Sequence, residues 1–181
     1  MAKNKRDIEL QVKRDELDRV AARLFLEKGY EATSMAKIAQ ALKVAPNTLY
    51  WYYRSKEELL VGVLNHLLSQ SLQQMPSVSG LPLHEQMTWM LREFEQSREL
   101  VTTVHARLEQ SEVIKAWHDR FHWLLESAVI HTLTAQGLSR DRAIMLATVG
   151  TFLVEGLLAH PHSEQQRRDI LQWFVRSAEV E

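Results

Sequence analysis

Cysteine is absent from the 181-residue sequence, which excludes disulfides, thiolate metal sites and cysteine nucleophiles, and nothing calls for an oxidising compartment. An apolar leader is missing too. The chain begins Met-Ala-Lys-Asn-Lys-Arg and continues charged, where a signal peptide needs a run of apolar residues. No later run is read as long enough to span a bilayer, so the expectation is a soluble, cytoplasmic protein with no membrane partner. Alternating β-branched residues bounded by hairpin turns are lacking, as are internal repeats and low-complexity tracts, and this points to an all-α chain. There is no glycine-rich phosphate loop, no Gly-x-Ser-x-Gly elbow and no zinc-protease motif. An enzyme is therefore not expected, nor a cofactor.

What is present is enough apolar material, 45% of the residues, to bury a sizeable core. The net charge of −1 hides an asymmetry: the first 60 residues carry 12 Lys/Arg against 9 Asp/Glu, and the remainder 10 against 14. Such a split suits a chain whose N-terminal part meets phosphates, and a solvated basic face gives the same count. Lys3, Lys5, Arg6, Lys13 and Arg14 precede the first well-patterned helix. They could lie along a nucleic-acid backbone or in a groove, or serve as a flexible solubilising tail.

The apolar spacing reads as about nine helices. Leu17, Val20, Ala21, Leu24 and Phe25 form one stripe, which Gly29 can close as a left-handed cap. Thr33 or Ser34 offers an N-cap hydroxyl for a short second helix carrying Met35, Ile38, Ala39 and Leu42. A tight turn follows, and Pro46 suits the first turn of a third helix. Ser55 and Glu58 make a capping box for a long fourth helix from Lys56. The stretch Met75-Pro-Ser-Val-Ser-Gly-Leu-Pro82 is the one convincing internal linker. Beyond it a fifth helix carries Leu83, Met87, Leu91 and Phe94, with a bend near Ser97 left open before a sixth with Val101, Val104 and Leu108. A seventh closes at Gly137, and the last two span 140–159 and 163–178.

Three short helices and a long one, with a three-residue turn between the second and third, can place one exposed helix in a DNA major groove. On that third helix Leu49 and Tyr53 must face inward, leaving Asn47, Thr48, Tyr50 and Trp51 turned outward. Asn can pair with adenine through its amide. The Thr hydroxyl can serve a phosphate or base edge, its methyl can meet thymine, and Tyr and Trp can reach phosphates or sugars. Core packing is the competing use of the aromatics.

The residues Phe25-x-x-x-Gly29-Tyr30-x-x-Thr33-Ser34-Met35-x-x-Ile38-Ala39, then Val44, then Thr48-Leu49-Tyr50-x-Tyr52-Tyr53-x-Ser55-Lys56-Glu57-Glu58-Leu59-Leu60, resemble the DNA-binding domain of the TetR family of transcriptional regulators. The likeness covers about residues 15–62. It implies an N-terminal arm and helix-turn-helix domain at 1–60 and a helical ligand-binding and dimerisation domain at 61–181. It further implies a homodimeric repressor that binds a near-palindromic double-stranded operator, pairs through its last two helices, and is released by a small-molecule inducer. Carried over by position, Thr33 and Lys56 would hold phosphates and Tyr50 would touch the backbone. Ala45, Pro46, Asn47, Thr48 and Trp51 would face bases or nearby phosphates. Lys43 stands where the family usually has a turn glycine, and Ala45 where it usually has a capping serine. A phosphate contact could offset the backbone strain at Lys43.

In the body, Ala143, Ala147 and Gly150 allow close helix approach, and Phe152, Leu153, Leu157, Ile170, Phe174 and Val175 supply apolar area for a subunit interface or for internal packing. Candidates for the ligand pocket are Met87, Met90, Phe94, His105, Trp117, Phe121 and His122, each of which could equally be core. So little charge among them suggests an apolar or aromatic inducer, with a cationic one allowed by Trp117 and Phe121. His118 and His122 share one helical face, but two donors fall short of the three or four a metal wants, so no metal is expected. A helical interaction adaptor without DNA affinity is the rival reading.

Overall fold

The computed structural model describes residues 5–179, with side chains from 9 to 177. Among these the protein is all-helical: α1 (Lys5–Lys28), α2 (Met35–Ala41), α3 (Pro46–Tyr52), α4 (Lys56–Gln74), α5 (Leu83–Gln96), α6 (Arg98–Arg107), α7 (Glu112–Ala135), α8 (Arg140–Ala159) and α9 (Glu164–Glu179). One turn of 3-10 helix, Met75–Ser77, opens the expected linker.

Helix ends follow local chemistry. Gly29 takes φ 80° and donates to Phe25 O at 3.0 Å, stopping α1. Ser34, rather than Thr33, caps α2 by accepting from Lys37 N at 3.2 Å. Ser55 Oγ accepts from Glu58 N at 3.1 Å, and the Glu58 carboxylate accepts from Arg54 N at 2.7 Å, one residue beyond the N–H of the expected box. Ser163 and Gln166 bond reciprocally ahead of α9. At Ser97 the expected bend is a full break, since the residue leaves helical geometry and ends α5.

Two compact units are present. The first comprises the residues up to Gln73 together with Glu99–Trp117. Its core joins Leu17, Ala21, Phe25, Ile38, Leu49, Leu59, Leu60 and Val63 with Leu100, Val104 and Ile114 from α6 and the start of α7. This unit thus runs on past residue 60 along α4. Four consecutive core positions of α4, Leu59 to Leu64, bury in this unit, and so does a segment far downstream. The second unit comprises Gln74–Arg98 and the chain from His118 onward. There α5 packs on α8 and α9 around Met87, Leu91, Val154, Leu157, Leu158, Leu171 and Val175. A Cβ built on Gly150 would meet Phe174 at 3.6 Å and Met87 at 3.8 Å, so α8 lies close against its neighbours there.

The basic arm differs from expectation. Helix α1 already runs from Lys5, so Arg14 and Lys13 are helical rather than in a tail. Arg14 donates to Tyr52 O at 3.3 Å, and Lys13 pairs with Glu16 at 2.7 Å. Lys3 and the side chains of Lys5 and Arg6 lie outside the described residues.

Candidate nucleic-acid interface

Helix α3 is held by its inner face. Leu49 and Tyr53 are buried, and the Tyr53 hydroxyl donates to the buried Asp18 carboxylate of α1. Arg14 lies over the Tyr53 ring, 5.0 Å from its centre. Opposite this anchor Asn47, Thr48, Tyr50 and Trp51 are exposed, Trp51 by 66%. The indole is therefore available on the same face as Asn47 and Thr48. Edge-on contact with Tyr52 at 4.7 Å between ring centres fixes its orientation.

The turn before α3 is tight. Leu42, Lys43 and Val44 donate back to Ile38, Gln40 and Ala39 carbonyls at 3.0, 3.1 and 3.0 Å. Lys43 sits in the left-handed region at φ 55°, as its place in the usual glycine position implies, at a cost of about 1 kcal/mol for a side-chain-bearing residue. Its side chain is exposed. Ala45 precedes α3 in extended geometry without any side-chain cap, and Pro46 fills the first helical position.

Two positions that the resemblance gives to phosphates have partners within the protein. Thr33 is 1% exposed, and its hydroxyl donates to Gly29 O at 2.9 Å, closing the end of α1 instead of facing outward. Ser34 is the exposed hydroxyl at that end of α2. Lys56 sits with its ammonium 4.0 Å from the centre of the Tyr30 ring, which Arg107 approaches on 4.8 Å. Burial pulls the Lys56 ammonium below its ordinary value. Arg107 also pairs with Glu31 and, at 3.5 Å, with Glu57. Burial, with the Glu57 charge adding to it, pushes the Tyr30 phenol up to about 12. Sequence spacing gives no sign of this cluster, because its members come from α4, α6 and the loop after α1.

The seven pocket candidates divide between the units. His105 is exposed on α6, and Trp117 packs against the first core and donates to Asn65 at 2.9 Å. In the second unit Met87 is buried in the α5, α8 and α9 core, with Met90 and Phe94 packed against it. Phe94 meets Phe121 edge-on at 5.9 Å, and Phe121 meets His122 at 5.6 Å. An open groove of about 920 Å³ lies in the first unit, bordered by Arg14, Asp18, Tyr53, Gly62 and His66, and none of the seven lines it.

Of the interface candidates on α8 and α9, Ala143, Ala147, Leu157 and Val175 are spent on the unit's own core. Phe152 is exposed by 67%, and the structure also exposes Ile144, Met145 and Val149 of α8 and Trp173 of α9, the last by 71%. Periodicity missed the three on α8 because that helix is apolar on more than one face. That same helix is, against expectation, long and apolar enough to cross a membrane by length and composition, with a mean hydropathy of 1.6.

A short exposed helix braced by a buried face, entered through a tight turn from another short helix, defines a helix-turn-helix DNA-binding domain. The family model for bacterial regulatory proteins of the tetR family matches residues 19–63, so this domain is similar to the DNA-binding domain of that family. The chain is similar to the HTH-type transcriptional regulator TcmR of Streptomyces glaucescens, 44% identical over 54 residues, covering 30% of this chain and 24% of that one. It is also similar to the HTH-type transcriptional repressor KstR2 of Mycolicibacterium smegmatis, 30% identical over 86 residues, 46% of this chain and 42% of that one. The matches thus span less than half the length of these relatives. A putative transcriptional regulator from Saccharomonospora viridis, solved in complex with choline, shares the fold at TM-score 0.67 and 19% identity, over 92% of this chain and 96% of that one.

Proposed function

We propose that the protein is a homodimeric transcriptional repressor, cytoplasmic and soluble, which binds a near-palindromic operator through α3 and is released by a small molecule. The observation that carries this reading is the outward face of α3, where Asn47, Thr48, Tyr50 and Trp51 stand free while Leu49 and Tyr53 anchor the helix. Asn47 and Thr48 read base edges, and Tyr50 and Trp51 meet the backbone or sugars. Ala45 and Pro46 face the bases or nearby phosphates, and Lys43 serves a phosphate. Lys56 reaches a phosphate from its seat over Tyr30, and Thr33 supports that end of α2 from inside.

Dimerisation is supported by the exposed apolar residues Ile144, Met145, Val149 and Phe152 of α8 and Trp173 of α9, which a second copy would cover. A two-fold pair would present two recognition helices roughly 34 Å apart, one turn of DNA. For the effector, Phe94, Phe121 and His122 in the second unit give an aromatic lining with one polar tip, which suits an apolar or aromatic molecule. A neighbour of the same fold holding choline supports a small cationic alternative.

Binding of the purified protein to fragments of its own genomic neighbourhood across a salt series tests the reading. The expected result is one preferred near-palindromic site, steep loss of affinity with salt, and lost site preference in Asn47→Ala and Thr48→Ala. No preferred fragment, with both variants matching wild type at low salt, would overturn it in favour of a helical adaptor.

A further inference from the structure

Two donors on one helical face do not make a metal site, but the fold brings a third to them. His118 and His122 lie one turn apart on α7, with their Nε2 atoms 3.0 Å from each other, and Glu155 of α8 places Oε1 3.3 Å from His122 Nε2. The donor atoms of the three lie within 4.8 Å of one another. Their side chains are exposed by only 18, 22 and 37%, so the site is sheltered yet open to solvent.

These separations match a coordination shell. Zinc–nitrogen and zinc–oxygen bonds of about 2.0–2.2 Å at tetrahedral angles put neighbouring donors roughly 3.3 Å apart. A hydrogen bond between the imidazoles accounts for the 3.0 Å contact alone. It does not account for a carboxylate converging on the same His122 nitrogen, whose single proton cannot serve both partners well. A cation among the three atoms satisfies all of them at once. On its Nδ1 side His118 has the Asp119 carboxylate 3.7 Å away, an acidic neighbour of the kind that commonly surrounds a ligating imidazole.

We propose that His118, His122 and Glu155 form a binding site for one divalent transition-metal ion of the zinc class, with the fourth position open to water or to an electron-pair donor on a bound molecule. Two imidazoles and one carboxylate select Zn²⁺, Co²⁺ or Ni²⁺ over Mg²⁺ and Ca²⁺, which need all-oxygen shells. All three ligands belong to the second unit, and metal binding is read out without DNA, so it stands or falls separately from the repressor reading.

The test titrates metal-stripped, full-length protein with Zn²⁺ against a chromophoric chelator, and with Co²⁺ while recording its visible absorption. Expected are one ion per chain, the intense visible band of four-coordinate Co²⁺, and no competition from excess Mg²⁺. Glu155→Gln, which keeps size and hydrogen bonding, should weaken Zn²⁺ binding by about tenfold or more, and His118→Gln with His122→Gln should abolish the stoichiometric site. Circular dichroism of the metal-free variants confirms that each is folded, and Glu155→Gln alone decides the matter should the double variant fail to fold. Absence of a stoichiometric site, or a site whose affinity and cobalt spectrum are unchanged in Glu155→Gln, would overturn the proposal and leave only weak binding at the chain's other histidines.

Discussion

The hydroxyl of Tyr53 and the carboxylate of Asp18 form a buried hydrogen bond between the residue that ends α3 and the middle of α1. Gly62 of α4 backs directly on the pair: a Cβ there would stand 2.5 Å from the phenol oxygen and 2.7 Å from the carboxylate. Three helices thus meet at one polar contact beneath the outward face of α3.

Removing the phenol oxygen leaves a buried carboxylate without its donor. Tyr53→Phe should therefore cost about 1–3 kcal/mol in urea unfolding. Gly62→Ala should be destabilising by a similar amount through overpacking, even though alanine is the better helix former by about 1 kcal/mol. A Gly62→Ala protein at least as stable as wild type would mean that the pair can move aside.

The same carboxyl sets a pH dependence. Burial raises the Asp18 carboxyl above its ordinary value, with the Tyr53 hydrogen bond and the Arg14 charge opposing the rise. A group that binds its proton more tightly folded than unfolded favours the folded state most when protonated. That contribution is full below the ordinary Asp value and is lost as pH rises through the folded one. Asp18→Asn stays neutral and keeps an acceptor for Tyr53. Its stability relative to wild type should accordingly improve as pH rises above about 4, the ordinary Asp value, and parallel thermal-melt profiles there would count against the assignment.

Lys43→Gly separates two effects at one position. Relief of the left-handed strain should raise stability by about 1 kcal/mol. Loss of the ammonium should weaken operator binding and lower the slope of log affinity against log salt by about 1. Greater stability with unchanged DNA affinity would leave Lys43 a turn residue only.

Placing a carboxylate among the exposed apolar residues of α8 and α9 should separate the subunits. Phe152→Glu and Trp173→Glu are each expected to raise the dimer dissociation constant by at least about tenfold, roughly 1.4 kcal/mol, as read by light scattering. Both side chains are exposed in the single chain, so the helical circular-dichroism signal should be retained.

Much of this was legible from spacing. The inward Leu49 and outward Asn47, Thr48 and Trp51 follow from three-to-four-residue periodicity, and Pro46, Ser55 and Gly137 mark ends that local backbone chemistry dictates. What escaped depends on partners distant in sequence. Asp18 reads as a solvated charge until Tyr53, 35 positions on, is seen to donate to it. Glu155 reads as one more carboxylate on a helix until α8 is packed beside α7. Spacing leaves Thr33 and Ser34 as equal candidates for the cap of α2, and only the packed carbonyls at the end of α1 show which hydroxyl they claim. On α8, which has apolar residues on several sides, period alone cannot decide which side faces the core, and Met145 and Val149 proved to face out.

The core beneath α3 is completed by Leu100, Val104 and Ile114, which return to it only after the chain has left to build α5 in the other unit. During synthesis, then, the ribosome has released every residue of the recognition helix long before the side chains that close the core behind it have been made. Until α6 and the start of α7 emerge, that core lacks the three side chains. For the same reason a gene fragment ending after α4 would encode a DNA-binding domain without its lid, poorly suited to act alone however complete its family motif.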